Sequence, residues 1–114
     1  MTKLLSVALL TALATQAFAV TIYPHAARGY AGHVVTVRGV VDGVHDAGSV
    51  VLLYMDGRAP RNGLTVAIYP SVPVVFNDAA SMAGKTVDVT GKVVMVSGKA
   101  RIDARSPSQV IVKD

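Results

Sequence analysis

The chain has 114 residues, with 11 lysines and arginines against 7 acids, a formal charge of +4 and no cysteine. Disulfide staples, thiolate metal sites and thiol nucleophiles are thereby excluded. The mild positive balance permits attraction to polyanions but lacks the dense basic stripe of a dedicated nucleic-acid binder.

Lys3 precedes an apolar run from Leu4 to Ala14, and the small-residue triplet Ala17-Phe18-Ala19 follows soon after. This is the plan of a secretory signal peptide over residues 1–19, cleaved after Ala19, because the run falls short of the roughly 20 residues of a membrane-spanning helix. A periplasmic or extracellular location is therefore expected, with no membrane span after cleavage. The remaining residues are enough for one small domain and leave no room for a second core. Residues 20–33, with Pro24, Gly29 and Gly32, read as an irregular lead-in or a short edge strand, and residues 34–114 as the folded domain.

Within that domain, Val35-Thr36-Val37-Arg38-Gly39-Val40-Val41 marks a first strand from Val34 to Val41. Inward valines alternate there with polar residues, and the central glycine lets a long strand curl. Gly43 to Gly48 reads as a loop and Val50 to Met55 as a second strand that is almost continuously apolar. Asp56 to Gly63 contains Asp-Gly, Pro60 and Asn62-Gly63, all turn signals, so it predicts a surface loop before a third strand at Leu64 to Tyr69. A cap at Ser71, Pro73 in the first turn and helical spacing of Val72, Val75, Phe76, Ala79, Met82 and Ala83 predict one short helix, stopped by Gly84. Thr86 to Val96 repeats the valine and glycine pattern of the first strand, with Val87, Val89, Val93 and Met95 on one face. Ser97-Gly98-Lys99 then turns into a fifth strand at Ala100 to Ala104, and Val110-Ile111-Val112 closes the chain.

Three strands, a helix and a two-stranded hairpin imply an all-β fold with one short helix. In that order they give a five-stranded Greek-key OB-fold barrel, with the helix between strands 3 and 4. Ser49 to Ser71 and Gly84 to Val112 resemble small bacterial OB-fold domains related to nucleic-acid-binding OB-fold proteins. The resemblance is carried by Gly57-Arg58, Pro60, Gly84-Lys85-Thr86-Val87, Val89-Thr90-Gly91 and Ser106-Pro107-Ser108-Gln109. These are mostly turn and bend residues, which speak for a fold more than for a function. The chain also departs from the family pattern. Tyr54, Met55 and Asp56 stand where an asparagine, an aromatic and a glycine commonly end strand 2, and Ala59 follows Arg58 where an aromatic is usual.

The resemblance implies a ligand face across strands 2 and 3, flanked by loops that carry stacking aromatics and basic groups. If Val51, Leu53 and Met55 point inward, then Val50, Leu52 and Tyr54 point outward, and the same alternation puts Thr65, Ala67 and Tyr69 outward on strand 3. Tyr54 and Tyr69 become candidate stacking platforms. Arg58 and Arg61 in the loop after strand 2, with Lys92, Lys99 and Arg101 in the hairpin of strands 4 and 5, become candidate contacts to phosphates or another polyanion. The same residues admit a plainer use, since a strand tyrosine commonly packs its ring and wets its hydroxyl, and scattered basic groups commonly form a solvated surface.

Two functions from different classes follow. One is an exported binding module for single-stranded nucleic acid or another extended polymer such as an oligosaccharide. The other is an envelope protein-interaction or structural module that docks a protein partner through Val50 and Leu52. No catalytic residue, metal or cofactor is expected. His25, His33 and His45 lack metal-ligand spacing, Asp42, His45 and Asp46 are a mixed cluster in a presumed loop, and no nucleophile elbow, zinc helix or phosphate-binding glycine loop is present.

Overall fold

The computed structural model describes residues 19–70 and 78–113. Nearly all of the expected signal peptide, and Ser71 to Asn77 of the expected helix, lie outside the described residues. Among the described residues there are eight strands: β1 (Thr21–Ile22), β2 (Val34–Asp46), β3 (Val51–Met55), β4 (Leu64–Ile68), β5 (Thr86–Lys92), β6 (Val94–Val96), β7 (Lys99–Ala104) and β8 (Val110–Val112). They form one sheet in the order β6-β7-β4-β3-β2-β5-β8, with β1 beside β2. Only the β1–β2 and β4–β7 ladders are parallel.

Five strands were the expectation. The surplus consists of β1 and β8 at the margins and the division of the fourth expected strand at Val93. The path of ladders ends in β6 and β8, so no ladder among the described residues closes it. Among the described residues, three 3-10 turns lie between the strands, at Pro24–Tyr30, Ala79–Met82 and Pro107–Gln109. The described end of the expected helix is thus a 3-10 turn.

Alternation decides what is buried. Val35, Val37, Leu53, Met55, Leu64, Val66, Ile68, Val87, Val89 and Ile102 all point to a common interior, and no polar or charged residue among those described is buried. Met95 departs from its expected inward place and is exposed. It lies on β6, a terminal strand of the path, with 39 % of its surface exposed.

The first strand runs to Asp46, through residues expected to form a loop. It is long because it serves two partners: Val34 to Val40 pair with β5, and Val41 to Asp46 pair with β3. The register slips between Val41 and Gly43, and such an extra residue bends a strand and redirects it to a second neighbour. Gly43 therefore marks a bend within a strand. The central glycines of the two repeated patterns make room for other elements. A Cβ on Gly39 would lie 2.6 Å from Cγ of Pro24, and one on Gly91 would lie 2.6 Å from Cγ2 of Ile102. The lead-in is likewise more ordered than expected, since Ala27 in the first 3-10 turn is fully buried.

On the outer face of the β2–β5 ladder, Nε and Nη2 of Arg38 donate to the two carboxylate oxygens of Asp88 at 2.7 and 2.8 Å. These hydrogen bonds, helped by the opposite charge and opposed by partial desolvation, hold the Asp88 carboxyl below the usual aspartate range. A carboxylate with a depressed folded pKa adds stability above its unfolded value, near 3.9, and loses it as the pH falls through the folded value. Melting temperatures measured from pH 6 to pH 2 are expected to fall less steeply below about pH 4 in Asp88→Asn than in the parent. Parallel curves would show that the pair contributes nothing.

Candidate ligand-binding cleft

The loop after β3 begins with Asp56 and Gly57, both at positive φ, 60° and 104°. Aspartate tolerates that region and glycine adopts it freely, which is why this dipeptide can turn the chain sharply out of the strand. The carboxylate of Asp42 accepts the Gly57 amide at 2.7 Å, and Gly63 donates its amide to Met55 O at 2.9 Å. Asn62 secures the far end, with Nδ2 donating to Leu64 O and to Thr65 Oγ1, each at 2.8 Å. Nζ of Lys99 donates to Pro60 O and so ties the β6–β7 hairpin to the same loop.

Beneath this loop lies the outer face of β3, β4 and β7. Cross-strand register places Tyr54, Thr65 and Arg101 in one row and Leu52, Ala67 and Asp103 in the next. A cleft of about 290 Å³ opens over these rows, walled by Leu52, Tyr54, Thr65 and Arg101 below, by Ala59, Pro60 and Asn62 from the loop, and by Val96 and Lys99 from the hairpin. Its floor is partly apolar and its rim carries two cations. Tyr54 is half-buried, which leaves part of its ring available to a ligand. The outward alternation of Leu52, Tyr54 and Thr65 holds, whereas Ala67 is buried at 1 % exposure. Its methyl is too short to reach solvent between Leu52 and Asp103.

One acid serves two arginines on this face. Nε of Arg101 lies 2.9 Å from Oδ1 of Asp103, and both atoms are screened from solvent. That approach lacks hydrogen-bond alignment, and the pair is held by its opposite charges together with Nη2 of Arg101, which donates to Oδ2 of Asp103 at 3.5 Å. Nη2 of Arg105 is 3.9 Å from the same carboxylate, and its guanidinium carbon sits 4.2 Å from the centre of the Tyr69 ring, a cation–π contact.

The seven candidate residues are thus only partly convergent. Tyr54, Lys99 and Arg101 line one cleft. Tyr69 stands just past β4 and is engaged by Arg105. Arg58 lines a neighbouring concavity that shares Tyr54 and Ala59 with the cleft and also takes in Asp42 and His45, and Arg61 opens into another adjoining one with His25 and Arg28. Lys92 pairs with Val34 in the β2–β5 ladder, on another part of the sheet. Of the proposed docking pair, Leu52 lines the cleft, while half-buried Val50 precedes β3 and accepts the Ala47 amide at 2.9 Å. Asn62 and Arg105 are the residues that sequence reasoning passed over. Alternation from Lys99 through Arg101 and Asp103 puts Arg105 on the same face, whereas Asn62 carries only a turn signal.

No group of three or more His, Cys, Asp or Glu side chains suited to a metal exists among the described residues. Asp42 is used by the Gly57 amide, and Asp46 accepts the Gly48 amide at 2.9 Å. Both aspartates of the sequence cluster therefore act as backbone caps. No helix of the described residues is long and apolar enough to cross a membrane.

Antiparallel β2–β3–β4, a parallel β4–β7 pairing and a cleft on the outer face of β3 and β4 define an OB-fold architecture. No protein-family model and no curated protein matches the chain. Solved structures do match. Asparaginyl-tRNA synthetase from Pyrococcus horikoshii aligns with a TM-score of 0.63 and 18% identity, over 80% of this chain and 22% of the synthetase. The S. pombe Stn1-Ten1 complex gives a TM-score of 0.56 at 18% identity, over 70% of this chain and 57% of that one. OBody AM1L10, bound to hen egg-white lysozyme, gives 0.63 at 19% identity, over 88% of this chain and 99% of its own. The chain thus spans about a fifth of the synthetase and little more than half of the Stn1-Ten1 chain. At these identities the likeness establishes the fold.

Proposed function

We propose that the chain is a non-enzymatic OB-fold binding module that takes single-stranded nucleic acid in the cleft of Tyr54, Lys99 and Arg101. The convergence of an aromatic ring and two cations on one partly apolar cleft carries this reading. A base stacks on the exposed part of the Tyr54 ring, Lys99 neutralises a flanking phosphate, and Arg101, already paired with Asp103, adds a smaller share of the attraction. Asn62 uses both Nδ2 protons internally, which leaves Oδ1 as an acceptor for a base edge at the rim. The kinship of fold with a tRNA synthetase supports a nucleic-acid ligand. Export by the amino-terminal segment and a barrel of five principal strands belong to the same proposal.

Tyr54→Ala is expected to weaken binding of a single-stranded oligonucleotide by about 1 kcal/mol, the low end for loss of one stacked base, because the ring is already half-covered. Fluorescence anisotropy with a folded variant checks this, and unchanged affinity removes the stacking role. A second reading, a protein partner docked through Leu52, is favoured by the OBody bound to lysozyme, an OB-type domain that engages a protein. Leu52→Asp is expected to abolish capture of such a partner, and because Leu52 also walls the cleft, salt separates the two readings: phosphate contacts weaken steeply with salt, whereas an apolar contact does not.

A further inference from the structure

Past the Lys99–Pro60 contact the tyrosine cleft continues into a second concavity of about 410 Å³, and Pro60, Asn62, Lys99 and Ala100 line both. Its walls come from three segments. His25 and Arg28 belong to the 3-10 turn Pro24–Tyr30, Asp56 and Arg61 to the loop after β3, and Lys99 to the hairpin. The turn and the loop are fixed against each other, since a Cβ on Gly63 would lie 2.9 Å from the His25 nitrogen and 3.1 Å from its Cα. Ala27, next to Arg28, is fully buried and anchors the turn from below.

The charges on this frame are unbalanced. Arg28, Arg61 and Lys99 have no carboxylate partner among the described residues, whose ion pairs are His25–Asp56, Arg38–Asp88, Arg101–Asp103 and Arg105–Asp103. Three permanent cations therefore share the concavity with one carboxylate, which sits 3.6 Å from Nδ1 of His25. Gathering like charges around one hollow is unfavourable in the free protein and becomes favourable when an anion enters. All three cations are exposed, and Lys99, which gives one Nζ donor to Pro60 O, keeps two more for an anion.

We infer that this concavity is a phosphate subsite: a nucleic-acid strand whose base stacks on Tyr54 passes over Lys99 and lays its next phosphodiesters between Arg28 and Arg61. The inference rests on the binding function proposed above and adds to it the path of the strand. It also gives the amino-terminal turn, which stands outside the five expected strands, a part in the site.

The test uses the full chain and labelled oligothymidylates of about 4 and about 12 nucleotides, a short and a long strand within the range of OB-fold site sizes. Anisotropy titrations over a series of potassium chloride concentrations compare the parent, Tyr54→Ala and the double variant Arg28→Ala/Arg61→Ala, with circular dichroism to verify folding. The double variant is expected to bind the longer strand about tenfold more weakly at low salt, with the salt slope reduced by roughly 0.7 for each lost phosphate contact. The shorter strand is expected to be unaffected. Unchanged affinity and slope for the longer strand overturn the subsite even where Tyr54→Ala weakens both lengths. Equal losses for the two lengths also overturn it, because general attraction, rather than a local contact, gives that result. A length-dependent loss in the double variant together with an inert Tyr54→Ala upholds the phosphate subsite and removes the stacking role. A parent that binds neither strand overturns both.

Discussion

Leu53→Ala is expected to lower the stability of the domain by about 3 kcal/mol, in the middle of the range for truncating a buried leucine. Leu53 is fully buried at the centre of β3. That strand is clamped on both sides, with Leu53 opposite Val44 of β2 and Val66 of β4. Neither neighbour can move into the vacated space without breaking its own ladder, so the cavity persists and its cost adds to the lost transfer energy. Urea denaturation is expected to show a lower midpoint at unchanged slope, with the melting temperature falling roughly 4–8 °C for each kcal/mol. A loss below about 1 kcal/mol would mean that the interior is not packed around β3.

Gly91→Ala is expected to cost about 2 kcal/mol, although alanine is otherwise the better strand residue. The added methyl would meet Cγ2 of buried Ile102 at 2.6 Å and Nε2 of Gln109 at 3.1 Å. Neither group yields easily. Ile102 is enclosed in the core, and the Gln109 amide joins three parts of the fold, with Nε2 donating to Thr90 O and Asp103 O and Oε1 accepting the amides of Arg105 and Ser106. Ile102→Leu removes the offending branch at the same volume, so Gly91→Ala/Ile102→Leu is expected to recover at least half of the loss. Strictly additive losses in the double-mutant cycle would show that the contact with Ile102 is not the cause.

Much of the fold was legible because alternation is a local signal. Val87 and Val89, Leu53 and Met55, and Val66 and Ile68 announce their inward faces from their neighbours alone. What escaped depends on partners distant in sequence. Nothing around Gly43 distinguishes a turn from a bend inside a strand that changes partners, and the second partner of β2 is known only once β3 is in place. The central glycines were legible as special positions, but their reason, contact with Pro24 and Ile102, belongs to tertiary packing. Ala26 and Ala27 gave too faint an apolar pattern to reveal that the lead-in seats a residue in the core.

The candidate site was legible to a similar depth. Parity along β3 identified Tyr54, and membership of the hairpin identified Lys99 and Arg101, which β4 joins to the same face by pairing with β3 on one side and β7 on the other. Loop residues carry no parity, so Arg58 and Arg61 could be named but not aimed, and each lines a different concavity. Alternation puts Arg101, Asp103 and Arg105 on one face, but that Asp103 serves both arginines is seen only from the side-chain distances.

Titration of labelled single-stranded oligonucleotide with the folded chain, at low and at near-physiological salt, tests the central claim most directly. Micromolar affinity that falls steeply with salt is the predicted result, since neutralised phosphates release counterions. No binding even at low salt would contradict a nucleic-acid cleft and direct the search to a protein partner at Leu52.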